Sequence, residues 1–365
     1  MSRTIFLLAG EASGDTRGAE LIHALRAKDP TLVFAGMGGP KMREAGMEIL
    51  ADVSNLAVVG ILEVIKNYRF FKRLFRQLLD ETRRRKPWAV VGIDYPGFNL
   101  RFLESVRHAR GPAAAPRTVQ YVSPQIWAWH ESRKWKMACY IDLLLCIFPF
   151  EPDLYEETGL RAVFVGHPLA NTPSFSSDSR DPKLLAFFPG SREREIRQHM
   201  PVLAAAETML KQAQPGLKIA CACNAGRSTQ LIRSFAPDAI LQSPSHLHQH
   251  AAAAVVCSGT ATLEAALAGL PMCVIYRVAW PTYLMGRALL RVSHLGMPNV
   301  LAGREIVREF IQHQFTAEAI TAEAQRLLHD KPARQQMEND YAEVRRQIGR
   351  LPAAENAALE ILSLP

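Results

Sequence analysis

Short apolar runs recur along the chain and alternate with longer stretches in which apolar positions return every three or four residues. The runs read as buried strands and the stretches as amphipathic helices. In the first half the runs occupy residues 5–8, 32–35, 89–93, 118–122, 143–147 and 163–165. Asn171-Thr-Pro-Ser-Phe-Ser-Ser-Asp-Ser179 then forms a polar, turn-rich stretch, the best linker candidate. A second series follows at 184–188, 217–223, 239–241, 253–257 and 272–276. From about residue 303 the pattern is mostly helical, over 317–329, 332–349 and 353–362. Such alternation predicts an α/β chain with parallel sheets covered by helices. The two series predict two doubly wound, Rossmann-like domains, with ligands bound in a cleft between the carboxyl ends of their sheets.

Composition agrees with this and narrows the setting. At 365 residues, 48% hydrophobic and 21% charged, the chain has enough apolar material for two cores. No continuous apolar stretch approaches the roughly 20 residues of a membrane-spanning helix. The apolar start, residues 4–9, is short and runs straight into Gly10-Glu11, unlike a signal peptide. The six cysteines form no CxxC pair, and Cys146, Cys221, Cys223, Cys257 and Cys273 lie in strand-like runs. Reduced, buried thiols and a cytoplasmic location are expected.

A net charge of +8 raises nucleic acid, a membrane surface or a phosphorylated substrate as partners. Its distribution helps to choose. Lys66, Arg69, Lys72, Arg73, Arg76 and the run Arg83-Arg84-Arg85-Lys86 face only Asp80 and Glu81. Among them stand Ile65, Phe70, Phe71, Leu74 and Phe75 at helical spacing. A basic face beside a wide apolar stripe describes a helix lying in a membrane interface, and these five residues are its expected docking face. The other reading is a core helix with a solvated basic back. No aromatic-basic signature of an RNA-binding sheet is present, so no nucleic-acid partner is expected.

Candidate chemistry collects where apolar runs end. After residue 257 the chain turns abruptly into Ser258-Gly-Thr-Ala-Thr-Leu-Glu264. Gly259 leaves the backbone open to a ligand, and the helix starting at Thr260 presents unpaired amides and a dipole suited to phosphate. Glu264, one turn in, can face ribose hydroxyls; alternatively the segment is an ordinary turn with an acid that suits the dipole. Pro189-Gly190-Ser191-Arg192 ends the first run of the second series, and its guanidinium suits a departing diphosphate without a metal ion.

In the first series, Gly10-Glu11-Ala12-Ser13-Gly14-Asp15 sets two carboxylates and a hydroxyl on a loop that can approach a sugar. Glu11 is the stronger candidate, since Asp15 also reads as a helix N-cap. Asp94, in Gly92-Ile-Asp-Tyr-Pro-Gly-Phe-Asn99, stands at another strand end, where a carboxylate can take the proton of an attacking hydroxyl. Its bland role is a turn cap. Trp127 belongs to a strand-end segment whose aromatic faces suit sugar rings or acyl chains, or simply the core. No Asp-x-Asp pair occurs, and His246-x-His248-x-His250 cannot share one helix face, so neither a metal nor another cofactor is expected. The absence of Gly-x-Gly-x-x-Gly after the first run argues against a dinucleotide oxidoreductase.

Eight motifs in order resemble the lipid-A-disaccharide synthase family over essentially the whole chain. They are Ala9-Gly-Glu-Ala-Ser-Gly-Asp15, Gly92–Asn99, Tyr121-Val-Ser-Pro-Gln-Ile-Trp-Ala-Trp129, Phe148-Pro-Phe-Glu151, Val165-Gly-His-Pro168, Pro189–Arg192, Ser258–Glu264 and Pro298-Asn-Val-Leu-Ala-Gly303. The resemblance implies a GT-B glycosyltransferase that moves 2,3-diacylglucosamine from UDP to the 6-hydroxyl of 2,3-diacylglucosamine 1-phosphate (lipid X). It implies roles in activity for Glu11 and Asp94, the latter a candidate base, and a sugar or acceptor site around Ser13, Gly14, Asp15 and Trp127. The UDP side would hold Gly190, Ser191, Arg192, Ser258, Gly259, Thr260, Glu264, Tyr276, Arg277 and Asn299. It further implies docking on the cytoplasmic face of the inner membrane through residues 58–79. Terminal helices that cross back would give an acceptor domain of residues 1–172 plus 346–365 and a UDP-sugar domain of 173–345. At Gly97 many members carry a second aspartate, which leaves Asp94 the stronger base here. The rival readings are another UDP-sugar enzyme, such as a UDP-N-acetylglucosamine epimerase, and a lipid- or anion-binding module.

Overall fold

The computed structural model describes residues 3–53, 68–110, 116–223, 227–280, 283 and 293–365. The chain forms two compact units, Met1–Pro168 with Gly349–Pro365, and Leu169–Ile348.

The first unit carries a seven-stranded sheet of β1 (Thr4–Ala9), β2 (Val33–Gly38), β3 (Glu48–Asp52), β4 (Ala89–Ile93), β5 (Arg117–Tyr121), β6 (Leu143–Cys146) and β7 (Ala162–Phe164). Their order is β3-β2-β1-β4-β5-β6-β7, and each pairing is parallel. The central strands are buried on both faces, which is why they read as continuous apolar runs. The order reverses between β1 and β4, the switch point at which ligands bind in doubly wound sheets. Ala9 pairs with Ile93, so the turns after β1 and β4 leave the sheet side by side.

One face of this sheet is covered by the helices Tyr68–Arg85 and Pro96–Arg110. Here the expected docking stripe divides. Leu74 and Leu78 are core residues, and Phe75 lies edge-on to Phe98 and Phe102 at 5.4 and 5.3 Å. Leu74 is therefore corrected from docking to core, and Phe75 to a part-buried residue packed against that core by the Pro96–Arg110 helix, which already occupies its side. One turn earlier that cover ends. Phe70 is 50% exposed against a part-buried Phe71, beside exposed Arg69, Lys72, Arg73 and Arg76. Ile65 lies outside the described residues. No described helix is long and apolar enough to cross a membrane.

The C-terminal helix Ala353–Leu362 packs on the first helix, Ala12–Lys28. Asn356 Nδ2 donates to the Val165 carbonyl at 3.1 Å. Gly166, at φ +103°, lies where a Cβ would come within 2.5 Å of the Leu351 carbonyl oxygen. Only glycine lets the returning chain approach so closely.

The second unit repeats the plan with β8 (Asp181–Phe188), β9 (Lys218–Ala222), β10 (Ile240–Gln242), β11 (Ala251–Cys257), β12 (Met272–Tyr276) and β13 (Glu309–Ile311). The order is β10-β9-β8-β11-β12-β13, again parallel, with its reversal between β8 and β11. Val256 pairs with Phe188 and Cys257 with Ile275. Three neighbouring strands thus deliver Pro189–Arg192, Ser258–Glu264 and Tyr276-Arg277 to one edge. The α/β class and parallel sheets are as expected. β3 and β13, both edge strands, are additional to the apolar runs.

Candidate active site

In the first unit the turns after β1 and β4 interlock. A Cβ on Gly10 would fall 2.2 Å from the Tyr95 ring, so the ring covers a bare backbone. Asp94 and Tyr95 hold φ of +51° and +44°, a left-handed pair without glycine that neighbouring hydrogen bonds must keep in place. Buried Asn99 supplies several: Nδ2 lies 3.1, 3.2 and 2.8 Å from the carbonyl oxygens of Leu8, Ile93 and Asp94. Gln120 Nε2 donates to the Asp94 carbonyl at 3.0 Å, and Asp94 N to Tyr121 O at 2.8 Å.

The Asp94 carboxylate accepts from Tyr95 N at 3.0 Å and from Arg17 Nη1 at 2.8 Å. The Arg17 side chain is only 13% exposed, and that of Asp94 35%. Arg17 escaped the sequence reading because nothing local links it to a carboxylate 77 positions away. Glu11 is exposed at the head of the Ala12–Lys28 helix, with Ser13 exposed beside it. Burial and the Glu11 carboxylate both push the Tyr95 phenol up, as expected for neighbours.

Asp15 and Gly14 do other work. Asp15 is buried and its oxygens accept from the amides of Gly39 (2.7 Å), Lys41 (3.0 Å) and Met42 (3.1 Å). It caps the helix Pro40–Glu44, neither facing a sugar nor capping its own helix. Gly14 is buried where a Cβ would press on Ala9, making it a helix–strand packing position rather than an open sugar contact. Trp127 is part-buried; its indole donates to Glu151 Oε1 at 3.3 Å, and Phe148 and Phe150 meet it edge-on. Glu151 also accepts from the amides of Ile147 and Phe148, both at 3.1 Å. Burial lifts its carboxyl to about 7.

In the second unit, Gly190 takes φ +116° with Glu195 so near that a Cβ would sit 2.6 Å from it. Glu195 Oε2 accepts from the amides of Ser191 (3.1 Å) and Arg192 (3.2 Å), and Oε1 pairs with Arg192 Nη1 at 3.1 Å. Those amides are thus satisfied internally. What this turn offers an anion is the Arg192 guanidinium, whose side chain is 72% exposed. At the end of β11, Ser258 Oγ donates to Leu295 O at 2.8 Å, fixing the loop. Gly259 stands at φ +146° with open space about it and no side chain capping the Thr260–Leu267 helix. Gly259 and Thr260 are exposed, and Glu264 is half-buried in that helix.

Two expected nucleotide ligands are corrected to scaffold. Arg277 Nη2 donates to the carbonyls of Gln312 and Phe315, and the guanidinium lies 4.9 Å over the Phe315 ring. Asn299 is buried, accepts from Ile306 N (2.7 Å) and Val307 N (2.9 Å), and donates to Val307 O and Glu309 Oε1, both at 2.8 Å. That exhausts the two donors and the accepting oxygen of its amide. Tyr276 is half-buried at the end of β12.

Two doubly wound units of parallel strands, with the exposed Glu11 and part-exposed Asp94 at one switch point and a glycine-opened helix start at the other, have the build of GT-B glycosyltransferases. Solved structures agree on the fold. A glycotransferase of kitacinnamycin superposes with a TM-score of 0.63 at 15% identity, covering 99% of both chains. A UDP-GlcNAc 2-epimerase from Neisseria meningitidis bound to UDP-GlcNAc superposes at 0.59 and 11% identity, covering 99% of this chain and all of that one.

Sequence likeness then separates the two activities. The chain belongs to the lipid-A-disaccharide synthetase family, whose model matches residues 5–361. It is 40% identical over 380 residues to a lipid-A-disaccharide synthase of Koribacter versatilis, covering 99% of this chain and 98% of that one. To one of Coxiella burnetii it is 37% identical over 376 residues, covering 100% and 99%. The chain is accordingly a glycosyltransferase of lipid A biosynthesis, with a UDP-sugar donor and a lipid acceptor. The epimerase reading retains only a likeness of fold.

Proposed function

We propose that the donor is UDP-2,3-diacylglucosamine and the acceptor lipid X, giving the β-1,6-linked disaccharide 1-phosphate and UDP. The observation that carries the chemistry is an open carboxylate, Asp94, held by Arg17 at the switch point of the first unit. Asp94 takes the proton of the acceptor 6-hydroxyl as that oxygen attacks the anomeric carbon. The bond from that carbon to the UDP oxygen breaks, and its electron pair leaves with UDP. Glu11, exposed on the adjacent turn, accepts hydrogen bonds from sugar hydroxyls, with Ser13 beside it and Trp127 offering an aromatic face. Gly97 supports this assignment: open space surrounds it, and it offers no competing carboxylate.

The first unit is thus the acceptor unit and the second the UDP-sugar unit. In the second, the helix start at Gly259-Thr260 and the Arg192 guanidinium neutralise the diphosphate as charge develops on it. Gly190 and Ser191 shape that turn, Ser258 fixes its neighbour, and Glu264 and Tyr276 line the nucleoside. Phe70 and Phe71, with the basic face around them, seat the first unit on the cytoplasmic surface of the inner membrane, where both substrates reside. Asp94→Asn tests the base: turnover is expected to fall by about 10²–10⁴-fold with UDP affinity retained. Near-normal turnover would remove Asp94 from that role.

A further inference from the structure

His199 lies in the helix Glu193–Ala213 and is fully buried. Its Nδ1 is 2.7 Å from the Pro189 carbonyl oxygen, and its Nε2 is 3.0 Å from the amide of Arg277. A carbonyl oxygen can only accept and an amide N–H can only donate, so one tautomer alone serves both: Nδ1 carries the hydrogen and Nε2 the lone pair. Pro189 directly follows β8 and Arg277 directly follows β12, and β11 lies between those strands. A single imidazole therefore ties the turns on either side of the strand that delivers Ser258-Gly259-Thr260.

We infer that His199 is a positioning residue for the nucleotide: its neutral ring sets the Pro189–Arg192 turn at a fixed distance from the helix start at Thr260. This rests on the reading of the second unit as the UDP site. Glu195 holds the same turn through the amides of Ser191 and Arg192, so the imidazole adds a tie to the neighbouring strand end. The ring is enclosed by Tyr276 at 6.4 Å and Phe315 at 5.6 Å between centroids, which fixes its plane as well as its edges.

Protonation breaks the arrangement. An imidazolium would point an N–H at the N–H of Arg277, with the guanidinium of the same residue near by. Glu195, on the ring's own helix, is the charged group that favours the cation; Arg277 opposes it, and the Tyr276 phenol, pushed up by burial, stays neutral. Burial is the largest influence and, with Arg277, outweighs Glu195 and the Pro189 carbonyl, holding the imidazole below its ordinary 6.5. The neutral tie is therefore intact above that value and is lost as pH falls through the lowered one.

Calorimetric titration of UDP into the whole chain tests this with three proteins. His199→Leu keeps the bulk and removes both hydrogen bonds. It is expected to weaken UDP by about tenfold or more near pH 8 while the circular dichroism spectrum is unchanged. His199→Gln presents an amide at the ε position that can accept from Arg277 and does not titrate. As pH is lowered from about 8 past the ordinary 6.5 and on to the acid limit of the folded chain, wild-type affinity is expected to fall more steeply than that of His199→Gln; comparing the two cancels the titration of UDP itself. A folded His199→Leu protein with wild-type affinity would overturn the inference. Should that variant not fold, parallel pH profiles of wild type and His199→Gln would overturn it. Failure of the wild-type chain to bind UDP would remove the nucleotide reading itself, and this inference with it.

Discussion

Arg17 Nη1 stands 2.8 Å from Asp94 Oδ2, joining the first helix of the chain to the turn after β4. One carboxylate oxygen is thereby committed to the guanidinium and the other to the Tyr95 amide, so the carboxylate has a fixed plane before any substrate arrives. A base held in this way contributes through orientation as much as through proton affinity.

Replacing Arg17 by methionine keeps the aliphatic stem and removes the fork. The expected result is a kcat lower by roughly ten- to a hundredfold, the loss of one charge-assisted hydrogen bond, with UDP affinity unchanged. Steady-state kinetics beside UDP calorimetry separate the two effects. An equal loss of UDP affinity would place Arg17 outside this role.

The aromatic residues of the Tyr68–Arg85 helix are expected to separate by experiment as they do in space. Phe70→Ser with Phe71→Ser should reduce flotation with anionic liposomes and leave the urea midpoint nearly unchanged, because Phe70 is half exposed. Leu74→Ala or Phe75→Ala should instead destabilise the first unit by about 2–5 kcal/mol. Unchanged flotation of the double variant would return the whole stripe to an internal role.

Glu151 makes a pH prediction. Its folded carboxyl sits at about 7, well above its ordinary 4.5, because burial disfavours the charge. The folded state therefore binds the proton more tightly than the unfolded state does. Its contribution to stability is greatest below pH 4.5, declines as pH rises from 4.5 to about 7, and is level beyond. Urea melts of wild type and Glu151→Gln over that window isolate it: the wild type should lose on the order of 3 kcal/mol relative to the variant. Parallel curves would show that the amides of Ile147 and Phe148 keep the carboxylate charged throughout.

The parts of the fold that were legible were those with a local cause. β1, β4 and β11 are buried on both faces, so each appears as an unbroken apolar run with its candidate residues just beyond. β3 and β13 lie at sheet edges, part-exposed, and their mixed residues carry no such run. Site positions were legible to the level of the turn, and the use of each side chain was not. Asp15 and Asn299 stand in the expected motifs, yet the groups they satisfy, Gly39 to Met42 and Ile306 to Glu309, are brought up by packing. The helix of Phe70–Phe75 shows the same limit. Core and interface helices share one apolar period, and only the position of the sheet shows where the cover ends.

Incubation of the chain with UDP-2,3-diacylglucosamine and lipid X, with chelator present, tests the central claim most directly. Mass spectrometry and NMR of the products should show UDP and a disaccharide 1-phosphate in equal amounts, joined by a β-1,6 linkage. Absence of the disaccharide, or an α linkage in it, would contradict the account.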